Sequence, residues 1–313
     1  VLRIATVNVN GIRAAHRRGL GDWLATRNCD VVALQEVRAP LAKLPLDAFG
    51  DYHVAYEPGQ LAGRNGVAVL TRQRPLAVRT WDAEVLVRAP GEEHLHTEPA
   101  PDRVPLARGL GRHAHEGRYL EVDLAEAPVT VASLYLPKGG LPARLQVPNR
   151  MREAPDGGAR YERKMRFMAA FARQLSRTRR AALANGREFL LMGDLNVAHT
   201  RLDVAAWRRS QTSEGFLPEE REWIDAQLSP RTLVDVVRAV HPDAEGPYSW
   251  WSWLGQAYAR DAGWRIDYHL ATPRLARTVV AAEVDRAHHG VRLSDHAPVV
   301  VDYAFPAGLA TSR

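Results

Sequence analysis

The chain has 313 residues, 46% of them apolar, which is enough for a sizeable buried core. A net charge of +6 and an isoelectric point near 9.7 favour a polyanionic partner. The single cysteine, Cys29, excludes an internal disulfide framework and reads as structural in a reducing compartment. No apolar stretch is long enough to span a membrane, and the N-terminus reads as a strand, not a secretory signal.

Residues 2–8 alternate into a strand that delivers two amides, Asn8 and Asn10, ahead of Gly11. A helix is expected over 14–28. The buried strand 30–36 ends in an acid, Glu36, and further strands are expected between 52 and 88, among them 66–71. Residues 89–117, rich in Pro, Gly, His and charge, read as a loop insertion, and the histidines at 94, 96, 113 and 115 read as loop residues, not a metal site. Strands 118–124 and 129–135 follow, the second ending at Tyr135. A second loop insertion, 138–160, carries Pro142, Pro148, Pro155, Gly157 and Gly158. A helix over 162–184 shows the apolar stripe Met168, Phe171, Ala172 and Leu175, with Arg173, Arg177, Arg179 and Arg180 on its solvated faces.

The run Phe189-Leu190-Leu191-Met192 drives the strand 188–193 into Gly193-Asp194-Leu195-Asn196. Alternation predicts that Asp194 and Asn196 point to the same side. Pro218 opens a helix over 218–228. Four of the eight tryptophans follow within fifteen residues, in Tyr248-Ser249-Trp250-Trp251-Ser252-Trp253 and Trp264-Arg265-Ile266. Trp251 and Trp253 read as core packing. Strands 265–271, 279–285 and 298–303 close the chain, with Ser294-Asp295-His296-Ala297-Pro298 before the last. One domain over 1–305 and a tail over 306–313 are expected.

Taken singly, Asn10-Gly11 reads equally as a turn, Glu36 as a surface acid and Asp295 as a cap. Together, four strand ends bearing carboxylate, amide or imidazole read as one site. Clustered oxygen ligands suit a hard cation such as Mg²⁺. A carboxylate, an imidazole and a hard cation suit hydrolysis of a phosphate ester.

The chain resembles the exonuclease III-type AP endonucleases of the endonuclease/exonuclease/phosphatase superfamily. The resemblance rests on Asn8-Val9-Asn10-Gly11-Ile12-Arg13, Leu34-Gln35-Glu36-Val37-Arg38, Ser133-Leu134-Tyr135-Leu136-Pro137 and Gly193-Asp194-Leu195-Asn196-Val197-Ala198-His199. It continues in Gly215-Phe216-Leu217-Pro218-Glu219-Glu220-Arg221, Gly263-Trp264-Arg265-Ile266-Asp267-Tyr268 and Ser294-Asp295-His296-Ala297-Pro298. It implies a DNase I-like α/β fold, a four-layer αββα sandwich of two packed mixed β-sheets flanked by helices. It also implies a Mg²⁺-dependent DNA-repair enzyme, with Mn²⁺ able to substitute. The enzyme would incise double-stranded DNA 5′ to abasic sites, leaving a 3′ hydroxyl, and trim 3′ ends, 3′-blocked ends included, as a 3′→5′ exonuclease. A monomer in the cytoplasm, on the nucleoid if bacterial, is expected.

Each role follows on matched positions. Asp194, with an ordinary carboxylate pKa, would deprotonate the attacking water, and Asn196 would bind phosphate or hold Asp194. Glu36, Asn10 and Asp295 would hold the metal, with Asp194, Asn196 and His296 as a second ligand set. His296 would donate to a phosphoryl oxygen while Asp267 accepts from its other nitrogen. Tyr135 would contact phosphate or assist the leaving group. Trp250, Trp264 and Ile266 would wall an apolar pocket for a baseless sugar, beside Asn8, Lys138 and Arg118 as substrate contacts. Arg13, Arg38 and Arg64, with Arg118, are candidates for phosphate contacts. Lys138 departs from the family's frequent amide, which leaves open the balance of incision and exonuclease activity. The competing readings are a DNase I-like nuclease or phosphatase of the same superfamily, and a non-catalytic nucleic-acid-binding protein.

Overall fold

The computed structural model describes residues 1–61, 63–100, 105–151 and 153–305; the expected tail lies outside these. The strands are β1 Leu2–Asn8, β2 Val31–Gln35, β3 His53–Glu57, β4 Val67–Thr71, β5 Ala77–Thr80, β6 Glu84–Arg88, β7 His96–Pro99, β8 Tyr119–Asp123, β9 Val129–Tyr135, β10 Glu188–Asp194, β11 Val234–Asp235, β12 Asp267–Ala271, β13 Val279–Val284 and β14 Val299–Tyr303. The α-helices are α1 Ile12–Arg17, α2 Leu20–Arg27, α3 Ala159–Ala184, α4 Trp207–Ser210, α5 Pro218–Gln227, α6 Val236–Val240 and α7 Pro273–Ala276.

Two mixed sheets form, ordered β13-β14-β1-β2-β4-β3-β6-β7 and β11-β12-β10-β9-β8-β5. The parallel pairs β1–β2 and β9–β10 sit next to antiparallel neighbours in their sheets. Side-chain alternation sorts every central strand into an inner and an outer face. Ile4, Val31, Val131, Leu190 and Met192 meet between the sheets. Ala5, Val7, Val32 and Leu34 face outward under Leu20, Trp23 and Leu24 of α2. Leu134, Leu191 and Leu270 face outward under Phe167, Met168 and Phe171 of α3 and Ile224 of α5. The result is a four-layer αββα sandwich.

The inner face changes character along the strands. Past the apolar layer comes a polar one, in which buried Thr6 Oγ1 donates to Gln35 Oε1 at 3.2 Å and Gln35 Nε2 donates to Ser133 Oγ at 3.0 Å. This bond joins the two sheets. One pleat further on are Asn8, Tyr135, Asp194 and Asp267. In the six-stranded sheet, Asp194 pairs in register with Tyr135 on one side and Asp267 on the other. Register neighbours project to the same face, so these three side chains form a row at the end of the inter-sheet space.

The structure corrects two sequence expectations. The helix over 14–28 is two helices, because Gly19 at φ 99° breaks the chain direction between α1 and α2. The expected loop 89–117 contains β7, which pairs antiparallel with β6. Its charged, exposed residues hid it, as expected of an edge strand.

Gly193 is required by close approach. Its φ is 135°, and a Cβ there would lie 2.0 Å from the Leu134 carbonyl oxygen on the adjacent strand. Gly193→Ala is expected to destabilise the protein by about 3 kcal/mol or more. Gly186→Ala, where φ is 71° and none of the described residues comes within 4 Å of the added Cβ, should cost only about 1 kcal/mol. Urea denaturation of the two variants checks this; equal losses would mean that the Leu134 contact relaxes freely.

Candidate active site

The site lies where β1, β2, β9, β10 and β12 present their ends, closed by the segment before β14. Three of its turns carry residues at positive φ: Asn10 at 41°, Glu36 at 51° and Asn196 at 48°. Asparagine tolerates this region, glutamate much less, so Glu36 holds backbone strain at the site. Gly11 N fixes the Glu36 carbonyl at 2.8 Å.

Asp194 is fully buried. Asn8 Nδ2 donates 2.9 Å to its Oδ2 and 2.9 Å to Glu36 Oε1, tying the two acids together. Asn196 N donates to Asp194 Oδ1 at 2.8 Å, and Asn196 Nδ2 to Oδ2 at 3.2 Å and to the Leu136 carbonyl at 2.9 Å. The expected juxtaposition of Asp194 and Asn196 exists, though not through strand alternation. The strand ends at Asp194, and a left-handed turn folds the amide back onto the carboxylate.

His296 Nδ1 lies 2.8 Å from Asp267 Oδ2, and Nε2 lies 3.8 Å from Asp194 Oδ2. Ser249 Oγ accepts from Ile266 N and Asp267 N, both at 3.1 Å, which fixes the start of β12. Burial opposes charge on the His296 ring, but Asp267 and then Asp194 outweigh it and raise its pKa to about 10. Asp194 does not keep the ordinary carboxylate pKa expected of it. Burial raises it, the His296 charge opposes, and Asp267 and Glu36 add to the rise. Between the two, the imidazole holds the proton, because two carboxylates face it.

Asn10 Nδ2 donates to Asp295 Oδ1 at 2.9 Å, and Trp250 Nε1 to Asp295 Oδ2 at 3.2 Å. Arg38 Nη1 approaches Asn10 Oδ1 at 2.6 Å and Glu36 Oε2 at 3.2 Å. Its guanidinium is a positive charge seated against two of the expected metal ligands. The donors Glu36, Asn10 and Asp295 are all oxygen, which suits a hard divalent cation. Asp194, Asp267 and His296 offer a second set, with donor atoms within 4.8 Å of one another, and the buried Asp267 Oδ1 has no hydrogen-bond partner among the described residues. Asn196, named in the expected second set, keeps its Nδ2 on Asp194 Oδ2 and the Leu136 carbonyl.

Trp250 and Trp264 bridge each other through backbone bonds of 2.9 Å in both directions. Their rings meet edge to face at 6.4 Å, Phe216 closes on Trp264 at 6.1 Å, and Ile266 joins the same apolar cluster. Between Trp264 and Ile266, the fully buried Arg265 makes a bidentate bond to Asp235, at 3.0 and 2.7 Å, and donates to Asp203 at 2.7 Å. Alternation thus sends the two apolar side chains one way and their charged anchor the other.

A sequence model of the Endonuclease/Exonuclease/phosphatase family matches residues 5–296. The chain belongs to this family. Its sequence is similar to an exodeoxyribonuclease of Bacillus subtilis (strain 168), 28% identical over 299 residues, covering 95% of this chain and 98% of that protein. It is also similar to a DNA-(apurinic or apyrimidinic site) endonuclease of Dictyostelium discoideum, 25% identical over 304 residues, covering 96% and 71%. The fold is similar to that of an AP endonuclease from Archaeoglobus fulgidus, with a TM-score of 0.72, 24% identity and coverage of 97% and 100%.

In this family member, other expected contacts sit differently. Tyr135 is partly buried, and burial together with the nearby Glu36 and Asp194 charges raises its hydroxyl pKa. Arg118 is buried and committed: its Nε donates to Glu116 at 2.6 Å, Nη1 to the Tyr135 carbonyl at 3.1 Å, and its guanidinium lies 5.2 Å from the Tyr135 ring. It supports Tyr135 and is not a free phosphate contact. Lys138 is exposed and pairs with Glu214 at 3.2 Å and Glu153 at 3.8 Å. Arg13 and Arg64 are exposed. Trp253, expected in the core, is 51% exposed and stacks under Arg292 at 4.2 Å and Arg18 at 5.1 Å.

Sequence reasoning passed over Lys164, which is fully buried and donates to Glu220 at 2.7 Å and to the Asn196 carbonyl at 2.9 Å. It also passed over Ser249 and the Arg265 network. The one available signal for the latter was the pattern Thr200-x-x-Asp203, which caps the turn at Arg201–Asp203. A cavity of about 310 Å³ between α3 and the β5–β8 edge is a different feature; its Arg79 is already paired with Glu121 and Asp123.

The raised His296 pKa fixes the sign of a pH effect. The imidazolium contacts contribute stability fully below pH 6.5, and this is lost as pH rises through about 10. In metal-free protein, histidine NMR should show His296 still protonated at about pH 8, above the ordinary imidazole value. Asp267→Asn should shift its titration downward. Titration at the ordinary imidazole value in the parent protein would contradict the assigned pairing.

Proposed function

We propose that this protein is a Mg²⁺-dependent DNA-repair phosphodiesterase that incises double-stranded DNA 5′ to abasic sites. It leaves a 3′ hydroxyl and also trims duplex 3′ ends, blocked ends included, as a 3′→5′ exonuclease. The observation that carries this reading is one juxtaposition: Trp250, part of the apolar wall it forms with Trp264, Phe216 and Ile266, bridges through its backbone to His296 of the Asp194–His296–Asp267 cluster and donates its indole N–H to Asp295. A phosphodiester cleaver needs the cluster, and a pocket that admits a baseless deoxyribose needs the wall. The similar exodeoxyribonuclease and abasic-site endonuclease support the substrate class. It acts as a monomer, and the bacterial relative suggests the cytoplasm and nucleoid as its place; among the described residues no helix is long and apolar enough to cross a membrane.

Each residue acts through its position. Asp194, held by three N–H donors, accepts the proton of the attacking water. Its raised pKa makes it a stronger base than a free carboxylate. The new water-oxygen bond to phosphorus forms as the bond to the 3′ oxygen breaks, and the departing 3′ oxygen takes a proton from solvent to give the 3′ hydroxyl. His296, kept protonated by Asp267, donates to a phosphoryl oxygen as charge builds there. Tyr135 faces the same space from the adjacent strand and contacts the phosphate. Asn8 and Asn196 hold Asp194 against rotation. A divalent cation, Mg²⁺ or its substitute Mn²⁺, would be held by Glu36, Asp295 and Asn10 and would neutralise phosphoryl charge. Arg38, beside those ligands and 43% exposed in its side chain, is placed to meet a neighbouring phosphate.

Asp194→Asn is expected to lower cleavage by about 10²–10⁴-fold while leaving DNA affinity intact. Turnover within tenfold of the parent would remove Asp194 as the base. Trp264→Ala should reduce incision at an abasic analogue more than trimming of a paired 3′ end. Equal losses in the two assays would show that Trp264 supports the fold and not substrate choice.

A further inference from the structure

Outside the catalytic row, two imidazoles and one carboxylate converge on a single point. Asp22 lies in the first turn of α2, and His288 and His289 lie in the connection from β13 to β14. His288 and Val291 exchange backbone hydrogen bonds of 2.9 Å, and between them His289 and Gly290 take φ values of 47° and 77°. Positive φ at both central residues is the geometry of a tight two-residue hairpin turn. Asp22 Oδ2 lies 2.6 Å from His288 Nε2 and 3.2 Å from His289 Nε2, and the two rings are 4.1 Å apart, tilted by 53°. The donor atoms all fall within 4.8 Å of one another.

The two elements are pinned independently of this triad. Trp23 Nε1 donates to Asp285 Oδ2 at 2.9 Å, and Arg27 pairs with Glu283 at 2.5 Å and Asp285 at 3.0 Å. His288 packs over Gly19, where a Cβ would stand 3.8 Å from its ring. The triad is therefore preorganised.

Two rings this close repel if both are protonated, and one carboxylate neutralises only one of them. A divalent cation satisfies all three donors with both rings neutral. Zinc bonds of about 2.0–2.2 Å in tetrahedral array put nitrogen and oxygen donors about 3.3 Å apart; the Asp22–His289 pair at 3.2 Å already has this spacing, and the Asp22–His288 pair at 2.6 Å would open as the ion replaces the proton between them. Two imidazole nitrogens and one carboxylate oxygen suit zinc and disfavour Mg²⁺. His289, 75% exposed in its side chain, leaves the fourth position open to water.

We propose that Asp22, His288 and His289 bind one zinc-class cation that clamps α2 to the segment leading into Asp295 and His296. The test is calorimetric titration of ZnCl₂ into the full chain, its His289→Ala and Asp22→Asn variants, and the catalytic-site variant His296→Asn. Binding of one zinc that weakens by at least about tenfold in the first two variants and survives in the third supports the site. Loss in His296→Asn alone would place the ion in the catalytic cluster. No binding by the parent, or unchanged binding in His289→Ala and Asp22→Asn, would overturn the proposal. Both substitutions are at exposed positions, and unchanged circular dichroism would show that the fold is retained.

Discussion

The structure turns on a constraint of parity. Every second residue of β1, β9, β10 and β12 faces the space between the sheets, and that space cannot be apolar along its whole length. Leu190 and Met192 fill it, and the next residue of the same parity on β10 is Asp194. Its strand neighbours in register, Tyr135 and Asp267, arrive at the same level with the same facing. A charged group in that position must be met by donors. Asn8 reaches across from the other sheet to do so, linking Asp194 to Glu36. The cross-sheet bond between Gln35 and Ser133, one pleat deeper, separates this charged row from the apolar core.

A second tier of buried charge holds the turns that frame the row. Lys164 on α3 and Glu220 on α5 meet without solvent, and the lysine also takes the Asn196 carbonyl. Glu220 accepts in turn from Leu217 N at 3.0 Å, so α5 and the Asn196 turn share one anchor. Arg265, Asp203, Asp235 and Arg238 form the corresponding anchor beneath Trp264 and Ile266. A buried ion pair adds little net stability, but losing one partner strands the other. Both networks therefore hold position more than they add stability: they fix where Asn196 and Trp264 stand relative to Asp194.

Much of the carboxylate row was legible in the sequence because it follows a period of two. A buried run ending in Asp194, and amides at the end of β1, can be seen residue by residue. The left-handed turn at Asn10 was visible as an Asn-Gly pattern, whereas Asn196 read as a continuation of the strand, and Glu36 at φ 51° was hidden because glutamate carries no turn signal. The buried ion pairs were invisible because the partners lie far apart in sequence, as do Lys164 and Glu220, and long charged side chains read as solvent-facing. Arg118 was misread for the same reason: its charge pointed to phosphate, whereas Glu116 and the Tyr135 carbonyl take it up. Trp253 erred the other way, because an aromatic among aromatics reads as core, while here it is covered by two guanidinium groups.

The central claim is that one buried carboxylate–imidazole cluster and one aromatic pocket serve a single reaction. The most direct test is cleavage of a labelled duplex carrying one abasic analogue, beside an undamaged duplex, with Mg²⁺ and with EDTA. Metal-dependent incision immediately 5′ to the lesion is expected, with a 3′ hydroxyl product and an uncut interior in the undamaged strand. Equal internal cutting of both duplexes, or no cutting of either with metal present, would contradict it.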